Sequence, residues 1–188
     1  MKFILFIIPI SFFFLCSSLP EKPQTILWDE NRPLTWDDFR GKSEPRFAGA
    51  STHYDIIKTL TNTNSNSATV NIEAIFFCKK SWKKKLWISE SLLAHEQKHY
   101  DVVELFSRKL RKLLQENNYV SFSELETKSD SLYKIIDKEM DVFQDEYDDG
   151  SNGSMDGDGQ RRWNKKIMEG IHELDSFKNT AVLITYKK

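Results

Sequence analysis

An α+β domain is predicted, with a β-hairpin or small antiparallel sheet near the N-terminus packed on about three helices. Ala68, Val70, Ile72, Ala74, Phe76 and Cys78 recur at every second position, with Thr69, Asn71 and Glu73 between the first four, which is the period of a half-buried strand. From Ser89 onward the apolar period becomes helical and stays so for most of the remaining chain. The 188 residues include 13 Phe, 6 Tyr and 5 Trp, enough bulky apolar material for one proper core and too much for a disordered chain.

The first residues read as an export signal rather than part of the fold. Lys2 is a short positive start, Phe3 to Leu15 is almost wholly apolar, and Cys16-Ser17-Ser18 offers small residues for cleavage. The run falls short of the ~20 residues a helix needs to cross a bilayer. Residues 1–18 are therefore taken as a signal peptide and 19–188 as a single domain. Periplasmic, cell-envelope or extracellular residence follows. Lipidation of Cys16 is the alternative, but a lipobox normally has a small residue before its cysteine, and Leu15 is not small. Membrane contact is expected only through that lipidated Cys16. Cleavage leaves Cys78 alone, as a small buried hydrophobe.

Pro20, Pro23 and Pro33 keep the next stretch extended or looped, with Trp28, Leu34, Trp36 and Phe39 as anchors onto the core. Ala48 to Leu60 is rich in β-formers, and the polar run 62–67 reads as the turn of a hairpin. Lys79 to Lys85 carries five lysines interrupted by Trp82 and reads as a solvated loop. Ser89 suits an N-cap, and Leu92, His95, His99, Val102, Val103, Phe106, Leu110, Leu113 and Leu114 mark one helix. Ser121 with Glu124 fits a capping box for a second, whose stripe is Leu125, Leu132, Ile135, Ile136, Met140, Phe143 and Tyr147. Asp148 to Gly159 is a Gly/Asp/Ser loop, Gln160 to about Leu174 a third helix, and Ala181 to Tyr186 a last strand.

Several functions are excluded. With 27 Lys+Arg against 28 Asp+Glu the net charge is -1, which argues against nucleic-acid binding by bulk charge. Two cysteines cannot build a disulfide scaffold or a four-cysteine zinc module. There is no phosphate-binding glycine loop and no Gly-x-Ser-x-Gly elbow, so nucleotide and serine-hydrolase chemistry lack support. Asp156 to Gly159 hints at Ca²⁺ but lacks the twelve-residue loop with its final glutamate.

One motif carries chemistry. His95-Glu96-Gln97-Lys98-His99 is His-Glu-x-x-His on a predicted helix. Four residues rise ~6 Å and complete just over one turn, so both imidazoles leave the same face and can grip one Zn²⁺. Glu96 reaches a metal-bound water without being a ligand, and as general base takes its proton during attack on a carbonyl. The competing structural role is two polar groups at the edge of a core. The uncharged residues usual in the middle of the motif are here Gln97 and a charged Lys98.

Further segments extend the pattern: 34–41 (Leu-Thr-Trp-Asp-Asp-Phe-Arg-Gly), Ala50-Ser51-Thr52, Ser81-Trp82, 92–101 around the motif, Arg108 to Lys112, and Gln144 to Asp148 followed by Gln160 and Trp163. With these the chain resembles the bacterial predicted secreted zinc-dependent proteases, a domain-of-unknown-function family with the same motif. The resemblance implies an exported, zincin-like protein that uses Zn²⁺. In that family the Tyr-Asp segment runs on through Glu-Thr to a histidine. The matching positions here are Gly150, Ser151 and Gly153, a departure that removes the histidine.

A catalytic zinc needs about three protein ligands and an open position. His53 and His172 are isolated. Periodicity singles out Glu139, which falls among Ile135, Ile136, Met140 and Phe143, where a carboxylate is costly unless paired or bound. The resemblance points instead to Asp148, the favoured third ligand, with Glu139 as rival. Asp101 is expected to orient a histidine or pair with Arg or Lys, and Tyr100 and Tyr147 to pack or to donate to an oxyanion. The expected function is a zinc metallopeptidase cleaving a peptide or protein in the envelope or outside the cell. The alternative is a non-catalytic envelope protein that keeps the fold and a metal.

Overall fold

The computed structural model describes residues 22–45 and 47–187, so the expected signal peptide and Cys16 lie outside it. In chain order the elements are β1 (Thr25–Leu27), β2 (Ala50–Ser51), β3 (Tyr54–Asn64), β4 (Ser67–Phe77), β5 (Trp82–Lys83), α1 (Glu90–Glu116), α2 (Phe122–Ser151), α3 (Gly157–Glu173) and β6 (Ala181–Thr185). This is the α+β class expected: three helices and small antiparallel sheets among the described residues.

β4 organises the main sheet. Its alternate residues Ala68, Val70, Ile72, Ala74 and Phe76 are buried, and β3 pairs with it along its whole length. On its other edge β6 covers residues 67–71 and β1 covers 75–77. The end strand was legible, whereas β1, β2 and β5 are only two or three residues long and too short to show a period. β2 and β5 form a separate ribbon, Ala50 opposite Lys83 and Ser51 opposite Trp82.

Ser89 caps α1 by accepting from the Leu92 N–H at 3.1 Å, and Ser121 caps α2 by accepting from Glu124 at 3.2 Å. α1 lies between the sheet and the other two helices. Burial on both sides explains why nearly every residue from Tyr100 to Leu110 is buried, not just one stripe. It also explains the charges inside. Arg111 is fully buried, and its guanidinium bonds both Glu104 oxygens (3.0 and 3.1 Å) and the Ile72 carbonyl of β4. Arg108 joins Glu104 at 2.8 Å and reaches the Ile171 carbonyl of α3. Each buried charge therefore has its partners, as burial requires.

One expectation is corrected here. Residues 148–159 are not a single loop. α2 continues to Ser151, α3 starts at Gly157, and Asp148 stands in the last turn of α2. Asn152 ends α2 with φ 48°, and Asp156 caps α3 by accepting from the Asp158 N–H at 3.0 Å. Gly150 and Gly159 allow the two helix ends to meet. A Cβ on Gly159 would lie 2.1 Å from the Gly150 carbonyl oxygen, and one on Gly150 would lie 2.0 Å from Nε1 of Trp163. Among the described residues, no helix is long and apolar enough to cross a membrane.

Candidate metal centre

His95 and His99 occupy successive turns of α1, so their rings share a face. α2 crosses that face with its C-terminal turns, bringing Asp148 over both rings. Oδ1 of Asp148 stands 3.1 Å from Nε2 of His95 and 3.0 Å from Nε2 of His99, and the two Nε2 atoms are 3.1 Å apart. Three ligand atoms bound to one tetrahedral zinc at about 2.0–2.1 Å would sit roughly 3.3 Å apart. The triangle fits a small divalent cation, and among the described residues this is the group of three that could hold one.

The opposite ring nitrogens are fixed by glutamines. Nδ1 of His99 lies 2.7 Å from Oε1 of Gln144, whose Nε2 donates to the His99 carbonyl at 2.9 Å. Nδ1 of His95 lies 3.0 Å from Oε1 of Gln160, whose Nε2 donates to the Tyr147 hydroxyl at 2.6 Å and to Asn164 at 2.7 Å. An acceptor at each Nδ1 holds a proton there, which leaves Nε2, the atom turned toward Asp148, available to a metal. Tyr147 stacks on His95 with centroids 4.8 Å apart, and its hydroxyl donates to the His95 carbonyl.

With no cation between them, Nε2–H groups of the two histidines can donate to Asp148 instead. Burial alone would raise the Asp148 carboxyl, but the bonds from His95 and His99 outweigh it and hold the group far below the carboxylate range. Burial likewise pushes His99 down, yet the Asp148 carboxylate, with help from Glu96 and Gln144, carries it above its ordinary value.

Glu96 is buried and faces the same cleft, where its Oε2 accepts from the Thr52 hydroxyl at 2.7 Å. Thr52 follows β2, so the short ribbon positions Glu96. The cleft has a volume of about 600 Å³. Its walls are Phe47 to Thr52 on one side and Gln144, Asp145, Asp148 and the 153–155 loop on the other, with Trp87 and Leu92 at one end.

Not every candidate reaches this point. Glu139 is exposed on the outer side of α2, beside Lys109 and Val142. Ile135 and Val142 are themselves 53% and 52% exposed, so counting Ile135 in the stripe turned the inferred inner face toward Glu139. The true inner face is Ile136, Met140, Gln144 and Tyr147. Asp101 touches neither histidine and instead accepts from Trp28 Nε1 at 2.9 Å, Gln97 at 2.8 Å and Lys98. Tyr100 packs in the core and donates to the Ile26 carbonyl at 2.7 Å. His53 and His172 stay outside the triangle. Sequence reasoning gave Gln144 and Gln160 no role at the histidines, although Gln144 falls in helical phase between Met140 and Tyr147. Ser151, fully buried with its Oγ 3.4 Å from Nδ1 of His95, was also missed.

No protein-family model, curated protein or solved structure matches the chain.

Proposed function

We propose that this protein is an exported, zincin-like zinc hydrolase that cleaves peptide bonds. The observation that carries the reading is the 3.0–3.1 Å triangle of His95, His99 and Asp148 in an open cleft that also holds Glu96. Two imidazoles and one carboxylate are a donor set that suits zinc. A zinc ion held there would supply a Lewis acid for a peptide carbonyl and bring a water's pKa toward ~7.

The chain's own groups divide the remaining work. Gln144 and Gln160 keep the rings aimed. Thr52 holds one oxygen of Glu96, and the other takes the proton of the attacking water and delivers it to the leaving amine. Gly150 and Gly153 do not leave the site short of a ligand, because Asp148 supplies the third donor one turn earlier. That favours the hydrolase over a non-catalytic envelope protein. Export is proposed from the N-terminal apolar run alone.

The test is Glu96→Gln assayed on a panel of peptides beside His95→Ala. Zinc content should stay at the wild-type level in the first and vanish in the second, while cleavage falls by about 10²-fold or more in both. Unchanged cleavage by Glu96→Gln would rule out the mechanism.

A further inference from the structure

At the lip of the cleft the β5–α1 connection makes a tight turn, closed by the Trp87 N–H to the Lys84 carbonyl at 2.9 Å. Its central residues are Lys85 and Leu86, and turn tips normally carry polar residues or glycine. Leu86 is 97% exposed, and Trp87 and Ile88 beside it are each 44% exposed. Phe47, 88% exposed, meets the Trp87 ring edge-on at 5.3 Å, and Met155 faces the same cleft from the other wall. Single exposed apolar residues are ordinary, but a cluster at one lip is not.

The chain that leads into this lip is strongly basic. Residues 79–88 hold five lysines and no acid, Lys85 is exposed at the turn, and Lys84 stands 5.4 Å from the centre of the Trp87 ring. The far wall is opposite in sign: Asp145 and Asp148 line the cleft, and Asp137 and Asp141 continue the row at four-residue spacing along α2.

We propose that this lip docks the protein on a bilayer surface containing anionic lipid. Leu86 and Ile88 would enter the interfacial layer, Trp87 would sit at its edge, and the lysines would lie among the headgroups. The aspartate ridge would be turned away from the lipid. The basic character of this segment selects anionic lipid over an apolar protein partner, because lysines beside an apolar patch weaken a dry protein contact but strengthen an anionic interfacial one. The inference stands whether or not the cleft hydrolyses anything.

The test uses the chain from Leu19, the residue that follows the expected signal peptide. Cosedimentation is measured with phosphatidylcholine vesicles, with and without phosphatidylglycerol. Wild type should bind the anionic vesicles and largely ignore the neutral ones. Leu86→Ser with Ile88→Ser should weaken binding by about tenfold or more. Lys84→Gln and Lys85→Gln should each remove roughly fivefold, an effect matched in wild type by raising salt. Leu183→Ser, at a residue 64% exposed on β6, should bind as wild type does. Failure of wild type to bind, or equal binding by the Leu86/Ile88 variant, would overturn the proposal. So would a vesicle-free dimer that the same variant abolishes, which would make the patch a contact between copies.

Discussion

The side chain of Gln144 grips His99 at two points. Its Oε1 takes the ring Nδ1–H at 2.7 Å, and its Nε2 donates to the backbone carbonyl of the same residue at 2.9 Å. A carbonyl can only accept, so the orientation of the amide is fixed, and with it the tautomer of the ring. Gln144→Leu should therefore free the ring to turn and weaken zinc binding by about 10–100-fold, with the fold intact. Gln144→Glu keeps an acceptor for Nδ1 and should lose less. Competition against a chromophoric chelator reads both. Equal affinity for Gln144→Leu and wild type would show that the amide orients nothing.

Much of the site was legible because it rests on local rules. Ser89 and Ser121 announced two helix starts, and the spacing of His95 and His99 placed both rings on one face. The alternation from Ala68 to Phe76 marked the central strand. What stayed hidden depends on which elements cover which face. Glu104, Arg108 and Arg111 look like a solvated face until α3 and the sheet are seen to cover them. Ile135 reads as core by type and is exposed in fact, which drew attention to Glu139. Gln144 shares the helical phase of Met140 and Tyr147, but neither it nor Gln160 carries a charge that would mark it as the partner of an imidazole.

The meeting of α2 and α3 should be intolerant of a methyl group. A Cβ on Gly159 would press on the Gly150 carbonyl at 2.1 Å, backbone against backbone, with Asp156 Oδ2 at 2.7 Å beside it. Gly159→Ala should cost about 1–3 kcal/mol in urea denaturation and shift Gln160 away from His95. Gly157→Ala meets only the Arg161 side chain at 3.6 Å and should be close to neutral. Equal stability of the two variants would contradict the close approach.

Asp38 ties the N-terminal segment to the helix that carries the site. Its carboxylate accepts from Arg32 at 2.8 Å and from the Thr35 N–H and hydroxyl at 2.8 and 3.0 Å. The same turn presents the Leu34 N–H to Gln97 of α1 at 2.6 Å. Burial works to raise the Asp38 carboxyl, but the bonds from Arg32 and Thr35 outweigh it, so its pKa is lowered in the folded chain. The folded state then holds its proton less tightly than the unfolded state. The stabilisation is complete above the unfolded value of ~3.9 and is lost as pH falls through the lower folded value. Asp38→Asn should be about 1–2 kcal/mol less stable than wild type at neutral pH, and the gap should close under acid. Urea midpoints for both proteins on a pH series check this. A gap that stays constant into acid would place the effect in packing rather than charge.

His95, His99 and Asp148 are proposed to hold one zinc ion. The most direct measurement is metal content by elemental mass spectrometry on the chain from Leu19, purified without a histidine tag or chelator, beside His95→Ala and Asp148→Asn. The expected result is about one zinc per wild-type chain, none in His95→Ala, and a much reduced content in Asp148→Asn. A folded wild-type protein that takes up no zinc when the ion is added back, or an Asp148→Asn variant as fully loaded as wild type, would contradict it.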